Sequence, residues 1–151
     1  MKIVLASDHR GYRMKKEVKE WLVSKGMDVV DLGCDSDSSV DYPDYSIPAA
    51  KKVANGEAEL GLLFCDTGEG MVISSNKVRG VRAALVFKPE IGKFAKEHNG
   101  ANVLCFPAGY ISLDEVKEAV RGWINAEIKE ERHIRRVRKI EEYEKEVEGG
   151  R

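Results

Sequence analysis

Cys65 sits where an apolar run stops and a glycine-bearing turn starts, within Gly61-Leu-Leu-Phe-Cys-Asp-Thr-Gly-Glu-Gly-Met71. Leu60 to Phe64 reads as a buried parallel strand. Thr67, Gly68 and Gly70 then form a short turn, and a helix is expected from Met71 to Val78. Backbone N–H groups at such a helix start have no intrahelical partner and face the crevice beyond the strand end. Within five residues the chain thus offers a thiol that can act as a base and donors for a developing negative charge. Proton abstraction next to a carbonyl uses that pair of functions.

The rest of the chain supplies the frame. Strands are expected at Lys2 to Ser7, Val29 to Leu32, Leu60 to Phe64, Val81 to Phe87 and Asn102 to Phe106. Helices are expected from Gly11 to Lys25, Tyr45 to Ala54, Pro89 to His98 and Ser112 to Ile124, the last with a Ser112/Glu115 capping box. A C-terminal helix is expected over 127–147. Strands alternating with helices of this length imply an α/β fold. The expected form is a single-domain, Rossmann-like (flavodoxin-like) three-layer sandwich over residues 1–151, with a five-stranded parallel sheet and helices on both faces. Ligands of such sheets bind at the carboxyl ends of the strands. That rule gathers Asp8 and His9 after the first strand with Cys65 to Gly70 after the third, and lets Tyr42 reach the rim from the second loop. His98 and Asn99 close a helix and belong at the opposite edge, so a partner subunit would have to bring them to the cleft.

Composition narrows the function classes. With 151 residues, 42% of them hydrophobic, the chain suits one domain with one core. A net charge of −1 gives no reason to expect nucleic acid or a membrane surface as partner. No apolar segment approaches the roughly 18 residues of a membrane helix. The chain holds three cysteines and no CxxC, which points to reduced thiols and a cytoplasmic setting. Each candidate also has a bland reading. A cysteine ending a buried strand is more often an inert small hydrophobe. His98 can simply meet a helix dipole, and the arginine run can be a solvated face paired with Glu130 and Glu131.

Ser7-Asp8-His9-x-Gly11, Asp41-Tyr42-Pro43, Cys65-x-Thr67-Gly68-x-Gly70, Ser75-Asn76-Lys77, His98-Asn99-x-Ala101-Asn102 and Arg132-His133-x-x-Arg136 follow one another along the chain. This ordered set resembles type B ribose-5-phosphate isomerases and the related galactose-6-phosphate isomerase subunits, from residue 1 to about 140. The resemblance implies aldose–ketose isomerisation of a sugar phosphate, ribose 5-phosphate and ribulose 5-phosphate by default, without metal or cofactor. It implies Cys65 as base and the N–H groups of Gly68 to Gly70 as enediolate donors. His98 would open the furanose ring, with Thr67 or Asp8 assisting. Asp8, His9 and Asn99 would hold sugar hydroxyls, and Tyr42 would help close the site. It further implies a homodimer or homotetramer with sites between subunits. The C-terminal helix would cross to the neighbour, where Arg132 and Arg136, one turn apart, would clamp the phosphate.

The chain departs from the family's pattern in four places. Gly109 stands where a phosphate-binding arginine is usual, and Arg135 or Arg138 could replace it. Gly100 follows Asn99 where Asp or Asn is common. Asp66 and Glu69 flank Cys65, where their charge would oppose a thiolate; they could themselves be bases or bind a polar substrate group. These departures keep open an isomerase of a hexose or a non-phosphorylated sugar. A non-catalytic phosphosugar-binding, flavodoxin-like module is the rival from another class.

Overall fold

A computed structural model describes residues 1–149 of the chain. Its elements alternate as expected: β1 (Lys2–Ser7), α1 (Tyr12–Ser24), β2 (Asp28–Asp31), α2 (Pro43–Ala54), β3 (Leu60–Cys65), α3 (Glu69–Ser75), β4 (Ala83–Leu85), α4 (Pro89–Asn99), β5 (Val103–Pro107), α5 (Leu113–Ile124) and α6 (Glu131–Gly149). All five strands are parallel, in the order β2-β1-β3-β5-β4. The last two exchange places relative to the flavodoxin order. The winding reverses between β1 and β3, the place where sheets of this kind bind ligands at their strand ends. Register sets those ends level, with Ser7 opposite Phe64 and Cys65 opposite Pro107.

Alternation along buried strands divides the core in two. Ile3, Leu5, Leu62, Phe64 and Phe106 pack with Val18, Val116 and Trp123 from α1 and α5. Val4, Ala6, Leu63, Cys65 and Cys105 pack on the other side with Ala49 and Val53 of α2 and Met71 of α3. Cys65 therefore points toward the helix that follows it.

Some boundaries differ from expectation for local reasons. β4 is three residues long and, as the edge strand, pairs only with β5. The Arg82 N–H donates to Asn102 Oδ1 (2.8 Å) and the Ala83 N–H to Asn76 Oδ1 (2.8 Å). Two asparagines of the ordered motifs are thus scaffold. α3 begins two residues early, directly after Gly68 in the left-handed conformation, and stops at Ser75. α6 begins at Glu131 and lies along its own α4 through His133 and Val137. Its far end is pinned to the same chain, where Glu144 accepts from the Gly80 N–H at 3.1 Å.

Lys15 of α1 is fully buried, yet polar. Its ammonium donates to Asp31 Oδ1 (2.6 Å) and to the Cys34 carbonyl (2.7 Å), tying α1 to the loop after β2. Burial opposes ionisation of Asp31, but Lys15, the Gly33 N–H and Lys19 outweigh it and hold the carboxyl below its ordinary 3.8. Lys15→Met takes away the buried partner of that carboxylate, leaving it Lys19 and the Gly33 N–H, and is expected to cost about 3 kcal/mol in urea unfolding at neutral pH. Because the folded-state pKa is depressed, Asp31's contribution is complete above its ordinary value and disappears as pH falls through the folded-state one. The penalty of the variant should therefore shrink in acid.

Candidate active site

Cys65 Sγ is buried beneath the start of α3, and the Gly68 N–H donates to it at 3.2 Å. Gly68 has φ 75° and ψ −16°, and a Cβ there would lie 2.6 Å from Leu85 and 3.1 Å from the Phe106 backbone. Only glycine fits this turn. Burial pushes the Cys65 thiol above its ordinary value of 9.0, and the Asp8 carboxylate adds to the push. The N–H groups of Met71, Gly68 and Gly70 pull the other way. The opposing carboxylate is therefore Asp8, not Asp66 and Glu69 as their sequence positions suggested. Asp66 instead lies against Gly109, and Glu69 is exposed.

Around the sulfur the other candidates of this edge are assembled. Asp8 is 8% exposed and its Oδ1 accepts the N–H groups of Arg10 (2.9 Å) and Gly11 (3.1 Å), which starts α1. His9 Nδ1 accepts the Val40 N–H at 3.2 Å, so the neutral ring carries its proton on Nε2. The Tyr42 ring covers Gly70, where a Cβ would sit 3.0 Å away. Thr67 is exposed at the rim, its Oγ1 3.4 Å from the Glu69 N–H. The turn N–H groups thus meet the sulfur first; an enediolate oxygen would share them with it.

Four candidates lie elsewhere in the same chain. His98 and Asn99 end α4, which leads into the amino-terminal edge of the sheet, where the Gly61 N–H meets the Asn102 carbonyl at 3.0 Å. Cys65 closes the other end of β3, roughly 15 Å away at the usual rise per residue. Arg132 and Arg136 are exposed on α6, Arg132 paired with Glu130 at 2.9 Å. Sequence reasoning named His133 within the motif Arg132-His133-x-x-Arg136 and gave it no role of its own. It turns inward, 7% exposed, with its ring centroid 4.6 Å from that of His98. Its spacing of four from Val137, also buried, is the signal that places it on the inner face. The two histidines border a cavity of about 160 Å3 with Glu97, Glu127, Lys129 and Glu130.

Comparison with known proteins places the chain by family and by fold. A family model described as Ribose/Galactose Isomerase matches residues 3–140. Ribose-5-phosphate isomerase B of Escherichia coli is 37% identical over 139 residues, covering 92% of this chain and 93% of that one. The structure of Clostridium thermocellum ribose-5-phosphate isomerase B superposes with a TM-score of 0.94 at 40% identity, over 97% of this chain and 99% of the other. That of the Mycoplasma genitalium enzyme with bound ribulose-5-phosphate gives 0.91 at 41% identity, over 96% and 97%. By sequence and by fold, the chain belongs to the ribose/galactose isomerase family.

Proposed function

We propose that the protein is an aldose–ketose isomerase that interconverts ribose 5-phosphate and ribulose 5-phosphate through an enediolate. The observation that carries this reading is Cys65 Sγ seated under the N–H groups of α3, beside Asp8, where the winding of the sheet reverses between β1 and β3. In the open-chain aldose, the Cys65 thiolate takes the proton from C2. The electrons of that bond move into the C1–C2 bond, and the carbonyl oxygen gains the charge. The N–H groups of the Gly68 to Gly70 turn stabilise that oxygen. The thiol returns the proton to C1, and a proton passes from O2 to O1, while Thr67 or Asp8 assists His98 in opening the ring. His9 and, from a second copy, Asn99 hold hydroxyls, Asp66 and Glu69 line the polar rim, and Tyr42 closes the site.

One chain alone separates Cys65 from His98 and the arginine pair. A homodimer or a homotetramer built from it, with the α6 surface across the seam, brings His98 of a second copy to the ring oxygen and Arg132 and Arg136 to the phosphate. Isologous pairing completes two sites at once. Among the described residues no helix is long and apolar enough to cross a membrane, and the three cysteines are unpaired. Those free thiols support a cytoplasmic setting.

Conversion of ribose 5-phosphate, followed together with deuterium exchange at C2 in heavy water, tests the reading. Exchange and turnover are expected; neither with any aldose or aldose phosphate would leave the non-catalytic module. A sister reading keeps the chemistry and changes the sugar, because Gly109 and Asp66 alter one rim of the cleft. A panel of aldoses and their phosphates decides that point.

The raised pKa of the base predicts a pH dependence. Since the reactive form is the thiolate, kcat/KM should rise from pH 7 to beyond 9. Asp8→Asn removes a charge that opposes ionisation and should move the rising limb to lower pH, whatever it does to KM. A limb that stays in place would remove Cys65 as the group titrating there.

A further inference from the structure

α6 is held to its own chain more by charge than by packing. Of its described side chains only His133 and Val137 are buried. The stripe they begin continues as Glu141, Glu144 and Glu148, at the spacings of three and four that share one helix face. All three carboxylates meet the loop between α3 and β4. Arg82 Nη1 lies 3.6 Å from Glu141, and Arg79 pairs with Glu148. The Gly80 N–H donates to both oxygens of Glu144, at 3.1 Å and 3.3 Å. A cavity of about 330 Å3 between Lys77 on one side and Tyr143 and Val147 on the other leaves little apolar contact there. The loop itself is a fixed platform. Asn102 Nδ2 donates to the Gly80 carbonyl at 2.9 Å, and Arg82 Nε to the Gly100 carbonyl at 2.9 Å.

We propose that Glu144, flanked by Glu141 and Glu148, is a positioning residue: this clasp sets the rotation of α6 about its own axis and so aims Arg132 and Arg136 across the seam between copies. The proposal rests on the isomerase reading above, in which those arginines hold the phosphate in a neighbouring site. At about 100° per residue, Arg132 and Arg136 each stand one step round the helix from His133 and Val137. The face that is fastened down therefore decides where both guanidinium groups point. Two buried side chains one turn apart are a short anchor for a helix of 19 residues. The partly exposed pairs to Arg79 and Arg82 contribute little singly. Their register with the half-buried, charge-assisted bond of Glu144 makes the contact rigid. The three carboxylates act through the arginines and hold no atom of the substrate.

The test is a cycle of Glu144→Ala with Arg132→Ala/Arg136→Ala, read as kcat/KM for ribose 5-phosphate from initial slopes. In the wild-type background Glu144→Ala should lower kcat/KM about tenfold, through KM far more than through kcat. In the background without the two arginines the same substitution should change it by less than about twofold, since nothing is left to aim. A merely structural role would cost the same in both. Glu144→Gln keeps one acceptor for the Gly80 N–H and should recover part of the loss. The circular dichroism spectrum should stay as in wild type, while the Gly80 amide exchanges faster with solvent. Arg79→Glu/Glu148→Arg, which restores the pair with its charges exchanged, should lie closer to wild type than either single reversal, and it decides the matter if Glu144→Ala does not fold. Unchanged kcat/KM in Glu144→Ala, equal losses in both backgrounds, or no recovery in the exchanged pair overturns the positioning role and leaves the isomerase. A wild type inert toward every aldose phosphate instead sinks the isomerase reading, and the role of the clasp with it.

Discussion

Cys65→Ala is expected to lower kcat for ribose 5-phosphate by about 10^2- to 10^4-fold, the span of a positioned base. The fold should survive. The substitution deletes one buried sulfur beside Met71 and Leu63, worth on the order of 1 kcal/mol, so circular dichroism and substrate binding should change little. Cys65→Ser keeps the size and offers a far weaker base at this pH, so it should also be slow. Stopped exchange at C2, measured in heavy water, would separate lost proton abstraction from a lost ring-opening step. Full activity in the alanine variant would move the base to Asp66 or Glu69. The geometry speaks against that, since Asp66 is turned to Gly109 and Glu69 is exposed.

The second large effect comes from the division of candidates between the two edges of the sheet. Cys65→Ala and His98→Ala should each inactivate the protein when made alone. Mixed, unfolded together and refolded, they should regain about one quarter of wild-type activity. Random pairing makes half the dimers mixed, and each mixed dimer holds one site with both groups intact. Arg136→Ala combined with Cys65→Ala should behave in the same way, through phosphate binding. Failure of both mixtures, with heterodimers verified by mass, would mean that each chain builds its site alone. His98 would then have no reach to the sugar, roughly 15 Å from the thiol along the length of β3.

These two predictions divide what residues disclose from what folding adds. The strand ending at Cys65 was legible because an apolar run of β length stops at a turn of Thr and Gly, and all six residues of β3 proved buried. The Ser112/Glu115 capping box was legible because both bonds are local, and both are present. β4 was read four residues too long, two at each end, and at its entry no local pattern reveals that Asn76 and Asn102 will occupy backbone groups of Ala83 and Arg82. The influence of Asp66 and Glu69 on the thiol was misjudged for a related reason. Adjacency in the chain says nothing of direction, and the carboxylate that reaches the sulfur comes from β1. His133 hid in a run of charges until helix packing turned it toward His98.

Periodicity, turn chemistry and the ordered motifs were enough to determine the alternation of strands and helices, the parallel sheet, and the placing of Cys65, Asp8 and His9 at one edge of it. These follow from short-range geometry, which side-chain spacing reports directly. Only the tertiary structure decided the exchange of β4 and β5, the sharing of the turn N–H groups with the sulfur, and the space that Asp66 takes beside Gly109. Those depend on register and on the meeting of side chains distant in the chain. No local interaction energy encodes them, and only packing selects among the alternatives.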